Sequence, residues 1–425
     1  MTNQPPAGTV AGSPPPLPPP AGHASSLRSL IVILLNLCLG LFLADAAMSL
    51  MDDTLIVLFN VHILSAFRSL AAFFAFLMAV LIYGLMALTP MIPKRLFLPV
   101  VLFNPAAFLA GVPCLIYCFS HMKQVAWVIS FCELICALGI LYLVQGGLKL
   151  RWPLVPEKRL KPRGFSWGNL LAFVLVNVFI LLPGVIVYFG FCAALGVDHF
   201  SDGFVKLRPG GLSVSARKYV RDDGKAVQLF PMSHIADAGF YREISESFPT
   251  NSIILLEGVS DSHNLLTNKI SYKQMARSLG LSEQQKEFKP SRGRPVSADI
   301  DVDQFSPDTI GLLNFIMLIH ARGLTPESLA KLLQYPVPPG FDEQLFDDLL
   351  RKRNRHLLGE IQARLSETDY IVVPWGAAHM PELAREIQKS GFHLAETREY
   401  MNIRFHFPGS QGSRPAPVAD SDPKK

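Results

Sequence analysis

Two histidines follow short apolar runs at the same kind of corner. In "LFPMSHIAD", His234 lies between an apolar run and a helical pattern. In "IVVPWGAAHMPEL", much further along the chain, His379 lies in the same position. A third apolar run, "SIILLEG", ends in Glu257. Two imidazoles and a carboxylate are a common ligand set for a divalent ion that activates water, and a positioned carboxylate also serves as a general base. These residue types predict hydrolytic chemistry.

The three apolar runs are expected to be strands that bring these residues to one place. Strands of an open α/β sheet present their carboxyl ends at one edge, where ligands bind, so residues that follow different strands lie together there. The small residues from Gly376 to Ala378 let the backbone turn sharply before His379 and let a substrate or ion approach closely. A single histidine after a strand is usually structural. The repetition, with Glu257 between the two corners, is what favours one shared site.

The pattern between residues 196 and 407 predicts a mixed α/β (α+β) soluble domain, with strands at both ends and a helical insertion in the middle. The turn "RDDG" between two alternating runs predicts a β-hairpin. Apolar residues at spacings of four predict helices, and short apolar runs between polar turns predict strands. The predicted strands are 210–220, 225–234, 252–258, 369–375 and one or two within 392–407, and the predicted helices are 238–248, 265–281, 306–322, 325–334, 342–366 and 381–391.

The order of these motifs resembles the TraB/PrgY/GumN–Tiki family of membrane-linked metalloproteases. The resemblance spans about residues 210–405 and depends on "LFPMSHIAD..FY", "IILLEG", "RKRNRHLLGEI" and "VVPWGAAHMPEL". The second GxxH of the family is intact at His379, its strand-ending glutamate matches Glu257, and its Arg-Asn pair matches Arg353 and Asn354.

The first GxxH of the family is only partly matched. His234 is present, but Pro231 replaces the glycine, and proline fixes φ and removes an N–H. The resemblance implies hydrolysis of peptide or ester-like bonds with a divalent ion held by His234, Glu257 and His379. Because His and carboxylate ligands suit Zn, Mn and Co alike, the identity of the ion stays open.

Two further residues near these motifs have competing explanations. Arg353 lies in the charged run "RKRNRH" of a predicted helix, where such a run is usually a solvated face. The resemblance gives Arg353 a site role, as a clamp for a substrate carboxylate or an oxyanion. Asp237 either orients His234 or caps the helix that follows, and the capping role is favoured.

The acidic segment "ADIDVDQF" invites comparison with a calcium loop. An EF-hand loop needs Gly at its sixth position and Glu at its twelfth, and counting from Asp299 gives Gln304 and Ile310. The calcium interpretation therefore fails. If the segment is extended, Asp299, Asp301 and Asp303 share one face, which leaves an auxiliary metal or substrate contact open.

The chain before this domain is overwhelmingly apolar. Runs of about 18 apolar residues or more predict membrane-spanning helices, and five are present: 29–49, 69–88, 96–118, 124–146 and 169–195. They predict a five-helix transmembrane region over 27–195, between a disordered Pro-rich tail (1–26) and the soluble domain (196–407), with a second disordered tail over 408–425. The segment 54–67 is too short to span and is expected to start the second helix or to lie at the interface.

All 6 cysteines fall inside the spans, so the soluble domain has no disulfide framework and no thiolate zinc site.

Charge near the spans predicts their orientation. Short loops rich in Lys and Arg stay in the cytoplasm, and the densest basic stretch, 149–163, lies between the fourth and fifth spans. Lys94 and Arg95 lie on the same side, whereas the first loop is expected to carry Asp52 and Asp53. The N-terminus is therefore predicted inside, and the soluble domain outside the cytoplasm, which in a bacterium is the periplasm. The net charge of +5 is explained by these loops and does not indicate nucleic-acid binding.

Together these features predict a membrane-anchored, metal-dependent hydrolase, most simply a peptidase, that acts on the extracytoplasmic side. Its expected partners are the lipid bilayer and a peptide or a small ester or amide substrate, and its oligomeric state is open. One alternative is a non-catalytic receptor or sequestering factor for a peptide signal, which Pro231 favours. Another is a carrier or channel, favoured by Glu133 in the middle of the fourth span.

The orientation is testable with a reporter fused after residue 410. We expect an alkaline phosphatase fusion to be active and a fluorescent-protein fusion to be dark, because phosphatase matures only outside the cytoplasm. Bright fluorescence together with an inactive phosphatase would contradict the predicted orientation.

Overall fold

The computed structural model describes residues 22–148, 150–162, 164–267, 272–322, 330 and 338–405. Lys149 and Arg163 of the basic loop, the C-terminal tail and nearly all of the predicted helix 325–334 lie outside these residues, as do residues 1–21 of the first tail. Contacts divide the chain into two compact units, with the division between Cys192 and Ala193. Each unit is described on its own.

The first unit contains five long apolar helices, as the sequence predicts. Each is long and apolar enough to cross a membrane. They are α1 (Gly22–Phe59), α2 (Ser65–Leu88), α3 (Lys94–Tyr117), α4 (Met122–Gln145) and α5 (Trp167–Phe200), the last containing a π turn over Asn177–Leu181. Insertion into a bilayer and the orientation of the helices stay predictions.

The prediction for the first loop is wrong. Helix α1 continues to Phe59, so Asp52 and Asp53 lie within it, only 1% and 3% exposed. Residues 54–59 extend α1 and do not begin the second helix. Arg68 of α2 pairs with both aspartates, which allows the helix to continue through them. The predicted orientation therefore depends on the basic loops alone. Helix α1 also begins at Gly22, inside the predicted tail.

The second unit is a mixed α/β unit built on a seven-stranded sheet. Four neighbouring strands are parallel, in the order β3-β8-β5-β7, and antiparallel β2 continues the sheet beside β3, with β1 and β9 paired to it. A separate pair, β4 and β6, is antiparallel. The strands are β1 (Val205–Arg208), β2 (Gly211–Val220), β3 (Ala226–Met232), β4 (Ile235–Ala236), β5 (Ile253–Leu256), β6 (Ser282–Glu283), β7 (Arg294–Ser297), β8 (Tyr370–Gly376) and β9 (His393–Arg404).

Helices cover both faces of this sheet. The long helix α10 is continuous through Phe341–Phe346, a π-helical segment Asp347–Lys352 and Arg353–Arg364. The others are α6 (Ala238–Ser247), α7 (Lys273–Leu279), α8 (Gln284–Glu287), α9 (Pro307–Arg322) and α11 (Met380–Lys389). Helix α6 buries its apolar side in one core cluster, and α10 and α11 bury theirs in another. Strands buried on both faces are continuous apolar runs, which explains "IILL" and "IVV".

Most predicted elements are present, but the short strands β1, β4, β6 and β7 are not among the predicted ones. The hairpin of β2 and β3 forms around Gly224, which has φ of 84°. Strand β7 lies in a stretch that the sequence predicts as a loop, because it contains Arg294 and Pro295. It is the last strand of the sheet, and proline is tolerated in an edge strand, which needs only one row of hydrogen bonds.

Candidate functional site

The four parallel strands end at one edge of the sheet, and each is followed by a polar side chain. His234 follows β3, Glu257 follows β5, Asp299 follows β7 and His379 follows β8. A cleft of about 680 Å³ opens at this edge. It is lined by Met232, Ser233, His234, Glu257, Gln284, Asp342, Leu345, Phe346, Leu349, Leu350, Arg353, Gly376, Ala377, Ala378 and His379. Because parallel strands end at one edge, three predicted site residues, His234, Glu257 and His379, line one cleft, and the fourth, Arg353, lines it from helix α10.

Two prolines lie where this edge opens. The pairing of β2 with β3 ends at Leu229, just before Pro231. The pairing of β5 with β8 ends at Val372, just before Pro374. Each proline thus sits beyond the point where its strand needs hydrogen bonds on that side, so its missing N–H costs nothing there. Pro231 is compatible with a working cleft and is explained by the local end of the sheet.

Arg353 forms the centre of the cleft floor, and its five N–H groups all have acceptors. The Nε and Nη2 atoms donate to the two oxygens of Asp299, at 3.0 and 2.5 Å. Nη2 also donates to Oε1 of Glu257 at 2.9 Å. Nη1 donates to the Leu349 carbonyl at 3.4 Å and to Nε2 of His379 at 3.2 Å. A guanidinium has five donors, so this one is saturated.

The hydrogen bonds around His379 define its tautomer. Glu382 can only accept, so the Asn354 atom that lies 2.6 Å from it is the amide nitrogen. The Asn354 oxygen therefore faces Nδ1 of His379 at 2.7 Å and accepts its proton. Because Arg353 can only donate, Nε2 of the same ring carries a lone pair. The lone pair of a buried, oriented imidazole thus faces the cleft floor.

Glu257 stays ionised beside this ring. Its Oε2 accepts from the Gly376 backbone N–H at 2.6 Å, and its Oε1 lies 3.6 Å from Nε2 of His379. Burial by itself would raise the pKa of Glu257, but the Arg353 charge and the Gly376 N–H oppose this and hold that pKa below its usual range. A Cβ at Gly376 would meet the carboxylate at 3.4 Å, which explains why the smallest residue stands there. Glu257 is therefore a carboxylate at any physiological pH.

Trp375 supports this array from below. It is fully buried, and its Nε1 donates to the Leu255 carbonyl at 2.9 Å. The His379 ring meets it edge-on with centroids 5.1 Å apart, and the Arg353 guanidinium lies 5.2 Å from the centre of its ring. A cation over an indole face is favourable. Trp375 thus restricts both groups to the positions described above.

The two histidines have different environments. The His379 side chain is buried, whereas the His234 side chain is exposed at the rim of the cleft. The His234 ring stacks on Tyr272, with centroids 4.8 Å apart and the planes 12° from parallel. Burial raises the pKa of the Tyr272 phenol, and the negative charge of Glu257 raises it further. Glu257 therefore acts electrostatically on Tyr272. Among the described residues, no hydrogen bond or ion pair joins the His234 imidazole to Glu257 or His379.

This arrangement does not fit the divalent ion that the resemblance implies. The Arg353 guanidinium, itself a cation, lies between Glu257 and His379 and donates to both. Within the described ranges, no group of three or more His, Cys, Asp or Glu side chains is arranged to hold a metal ion. A divalent ion on His234, Glu257 and His379 would require these side chains to rearrange, and it stays a prediction.

The acidic segment separates into residues with different roles. The Asp299 side chain is fully buried against Arg353. The Asp301 carboxylate faces Ser260 and Ser262, and these hydrogen bonds, together with that from the Asp303 N–H, lower its pKa. Asp303 lies 3.7 Å from Nε2 of the exposed His263. The three aspartates therefore do not act as one face.

Sequence reasoning missed Asp299 and Glu382 as members of the array. Asp299 follows a strand just as Glu257 does. If β7 had been predicted as a strand, Asp299 would have been predicted at the same edge of the sheet. Glu382 shows no such signal, because its role depends on where Asn354 lies. Asp237 takes the capping position of α6 as predicted, but its Oδ2 accepts from the Arg404 N–H and makes no capping bond to that helix.

Comparison of the chain with family models, with curated proteins and with solved structures found no match. The resemblance to the TraB/PrgY/GumN–Tiki family therefore stays a prediction, and the functional argument depends on the geometry of the cleft.

The saturated guanidinium predicts a large loss of stability in Arg353→Met. The substitution leaves Glu257 and Asp299 buried without their cation, and breaking one side of a buried ion pair costs about 3–5 kcal/mol. Arg355→Met is the matched control, because Arg355 lies on the same helix, is exposed and pairs with Asp347 only at 3.5 Å. We expect its cost to stay below about 1 kcal/mol. Pulse proteolysis of the full chain in detergent over a urea series measures both, and equal costs would contradict the central role of Arg353.

The same variants predict a pH signature. The pKa of Glu257 is lowered from 4.5 to about 2, so its contribution to stability is present above 4.5 and is lost as the pH falls towards 2. In Arg353→Met one of the causes of this lowering is gone, so the variant should lose less stability than the wild type over that window. Arg355→Met should follow the wild-type curve. Parallel curves for wild type and Arg353→Met would show that Arg353 does not hold Glu257 ionised.

Proposed function

We propose that the chain is a membrane-anchored hydrolase whose α/β unit cleaves a peptide or related acyl bond on the extracytoplasmic side. The observation that carries the proposal is the buried His379 ring, whose Nδ1 proton is committed to Asn354 and whose Nε2 lone pair faces the cleft. A histidine held in one tautomer by a neighbouring acceptor is the arrangement that general-base catalysis requires.

In this mechanism an attacking water displaces the Nη1–H of Arg353 from the Nε2 lone pair of His379, and His379 then takes the proton of that water. The Glu257 carboxylate, 3.6 Å from Nε2, stabilises the imidazolium that forms. The Asn354 oxygen keeps the Nδ1–H in place throughout, because Glu382 prevents the amide from turning. Protonated His379 then returns the proton to the leaving group. The protein groups used in these steps are direct neighbours, because Asn354 accepts from His379 and Glu257 lies 3.6 Å from its Nε2.

Arg353 contributes through its Nη1 atom. The hydrogen bond from Nη1 to the Leu349 carbonyl is the longest of its five, at 3.4 Å. A substrate carbonyl oxygen is a stronger competitor for that donor once negative charge develops on it. The bidentate bonds to Asp299 keep the rest of the guanidinium fixed. Arg353 thus stabilises the oxyanion through Nη1, while Nε and Nη2 keep their bonds to Asp299 and Glu257 and hold the floor together.

The walls of the cleft indicate the substrate class. Helix α10 lines one side with Leu345, Phe346, Leu349 and Leu350. Phe346 is 48% exposed, so this wall offers an aromatic side chain to a ligand. Apolar walls with a few convergent polar groups are typical of sites for small ligands and peptides. The preferred substrate is therefore a peptide, ester or amide with an apolar group next to the scissile bond.

A second candidate is a binding protein without catalysis. It is favoured by the saturation of Arg353, since a floor whose groups satisfy one another is also a stable structural network. Such a protein would bind an apolar peptide against α10 and release it unchanged. Turnover of a bound peptide separates the two functions.

Cleavage of a mixed peptide library tests the proposal. Full-length protein in detergent is incubated with the library, and new peptide termini are identified by mass spectrometry. We expect His379→Ala and Glu257→Gln each to lower the cleavage rate by about 10²–10⁴-fold, the usual contribution of a general base. His356→Ala is the control, because His356 lies on the same helix as Arg353 but is exposed.

The outcomes are distinct. Cleavage by His379→Ala at the wild-type rate would refute the mechanism, and binding of library peptides by the wild type without new termini would favour the receptor. The metal content of the same samples tests the resemblance separately. One equivalent of a divalent ion that is lost in both His234→Ala and His379→Ala would support the predicted ligand set, and an active protein without a bound ion would refute it.

A further inference from the structure

Helix α1 carries an acidic stripe inside the five-helix unit. Asp45, Ser49, Asp52 and Asp53 are spaced so that they share one face of the helix. All four are buried, with exposures of 2%, 4%, 1% and 3%. Carboxylates are rare within membrane-spanning helices, where they are costly unless paired and usually mark a functional site. The hydrolase proposed above makes no use of this stripe.

Two of the three aspartates have compensating partners. Arg68 of α2 pairs with Asp53 and lies 3.5 Å from Asp52. Ser65 donates to both oxygens of Asp52, at 3.1 Å each. Ser130 of α4 donates to Asp53 at 2.5 Å. One guanidinium and two hydroxyls therefore serve Asp52 and Asp53.

Glu133 of α4 faces this stripe, and one of its carboxyl oxygens has no hydrogen-bond partner among the described residues. It lies three residues after Ser130, on the same side of α4, and is 4% exposed. Its Oε1 is buried, and among the described residues it has no hydrogen-bond partner. The charges that act on Glu133 are those of Asp45, Arg68 and Asp53. A buried acceptor without a donor is rare in folded proteins and needs an explanation.

Asp45 is the aspartate left without a cation of its own. Its nearest hydroxyl is Ser49, 3.4 Å away and thus at the limit of a hydrogen bond, and the Asn104 amide of α3 also contributes. The charge of Arg68 reaches Asp45, but Arg68 is already engaged with Asp52 and Asp53. Ser130 donates to Asp53, so Glu133, three residues further along α4, lies against the same stripe, and the described residues supply neither Asp45 nor Glu133 with a cation of its own.

We propose that the Asp45–Glu133 pair is a proton-binding site within the membrane unit. Four carboxylates face one guanidinium, and two neighbouring carboxylates in a medium of low dielectric cannot both stay ionised. A proton taken up on Oε1 of Glu133 turns an orphaned acceptor into an O–H donor and removes one negative charge. The proton comes from water and returns to it, so nothing else is consumed.

The site lies where a proton relay would need it. Glu133 stands midway along the 24-residue α4, which places it near the centre of the span. Three residues before Glu133 on α4, Ser130 donates to Asp53, and Asp53 pairs with Arg68, whose side chain is 29% exposed. Shared protons on such carboxyl pairs exchange as a unit. The five-helix unit therefore has a ligand of its own beyond its role as an anchor.

Infrared spectroscopy of the full-length protein in lipid nanodiscs tests this site. A protonated carboxyl has a carbonyl band that a carboxylate lacks and that shifts in heavy water. We expect the wild type to show such a band at neutral pH and to lose it at alkaline pH, and Glu133→Gln to lack it. Glu157→Gln, at a side chain that is 58% exposed, should retain the wild-type band.

A carbodiimide that partitions into the bilayer gives an independent measurement. It reacts with protonated carboxyls, so peptide mapping should find it on Glu133 or Asp45 at neutral pH, with labelling reduced at least tenfold at alkaline pH. Asp45→Asn is a second variant in case Glu133→Gln does not fold, and it should remove the pH dependence. A wild type that shows neither band nor label at neutral pH overturns the proposal. So does protection of the pair by Na⁺ at constant pH, which would assign the site to a metal cation.

Discussion

The α/β unit depends on one buried cation. Arg353 is the only partner that reaches Asp299, Glu257 and His379 at once among the described contacts of these residues. Each of the three follows a different parallel strand, so the guanidinium ties the carboxyl ends of β5, β7 and β8 together. Without it two carboxylates would be buried side by side, at a cost far above what the surrounding apolar contacts could offset. The cleft floor depends on these contacts, which keep Glu257 ionised and orient the Nε2 lone pair of His379 towards Nη1 of Arg353.

In the five-helix unit, buried carboxylates are compensated less completely. Arg68 neutralises part of an acidic stripe, as Arg353 does in the α/β unit, but it faces more carboxylates than a single guanidinium can match. In the α/β unit Arg353 bonds directly to both carboxylates, and the Gly376 backbone N–H serves Glu257 as well. In the five-helix unit, Glu133 keeps an oxygen that has no donor among the described residues. A complete network favours one fixed arrangement, whereas an incomplete one favours uptake of a further positive charge.

The features predicted from the sequence are those that local patterns encode. Apolar runs reveal the five long helices and most strands, and the rule that parallel strands share an edge places Glu257 and His379 together. Patterns fail where a tertiary partner overrides them. The hydropathy pattern predicts a loop at Asp52 and Asp53, because it does not show that Arg68 pairs with them in the folded chain. Other features also follow from three-dimensional neighbours alone, namely the edge position of β7, the saturation of Arg353 and the stacking that holds His234 at the rim.

The π-helical segment of α10 explains how one helix supplies both the floor and the wall of the cleft. Leu345, Leu349 and Arg353 are spaced four residues apart, and all three line the cleft. In a regular α-helix a spacing of four overshoots a full turn by about 40°, so a row of three would drift around the helix by about 80°. The segment Asp347–Lys352 has the wider i→i+5 turn, which reduces that drift. The apolar wall and the guanidinium therefore stay in line. π turns are rare and often occur at functional sites, and this one connects the apolar wall to the Arg353 guanidinium through the backbone itself.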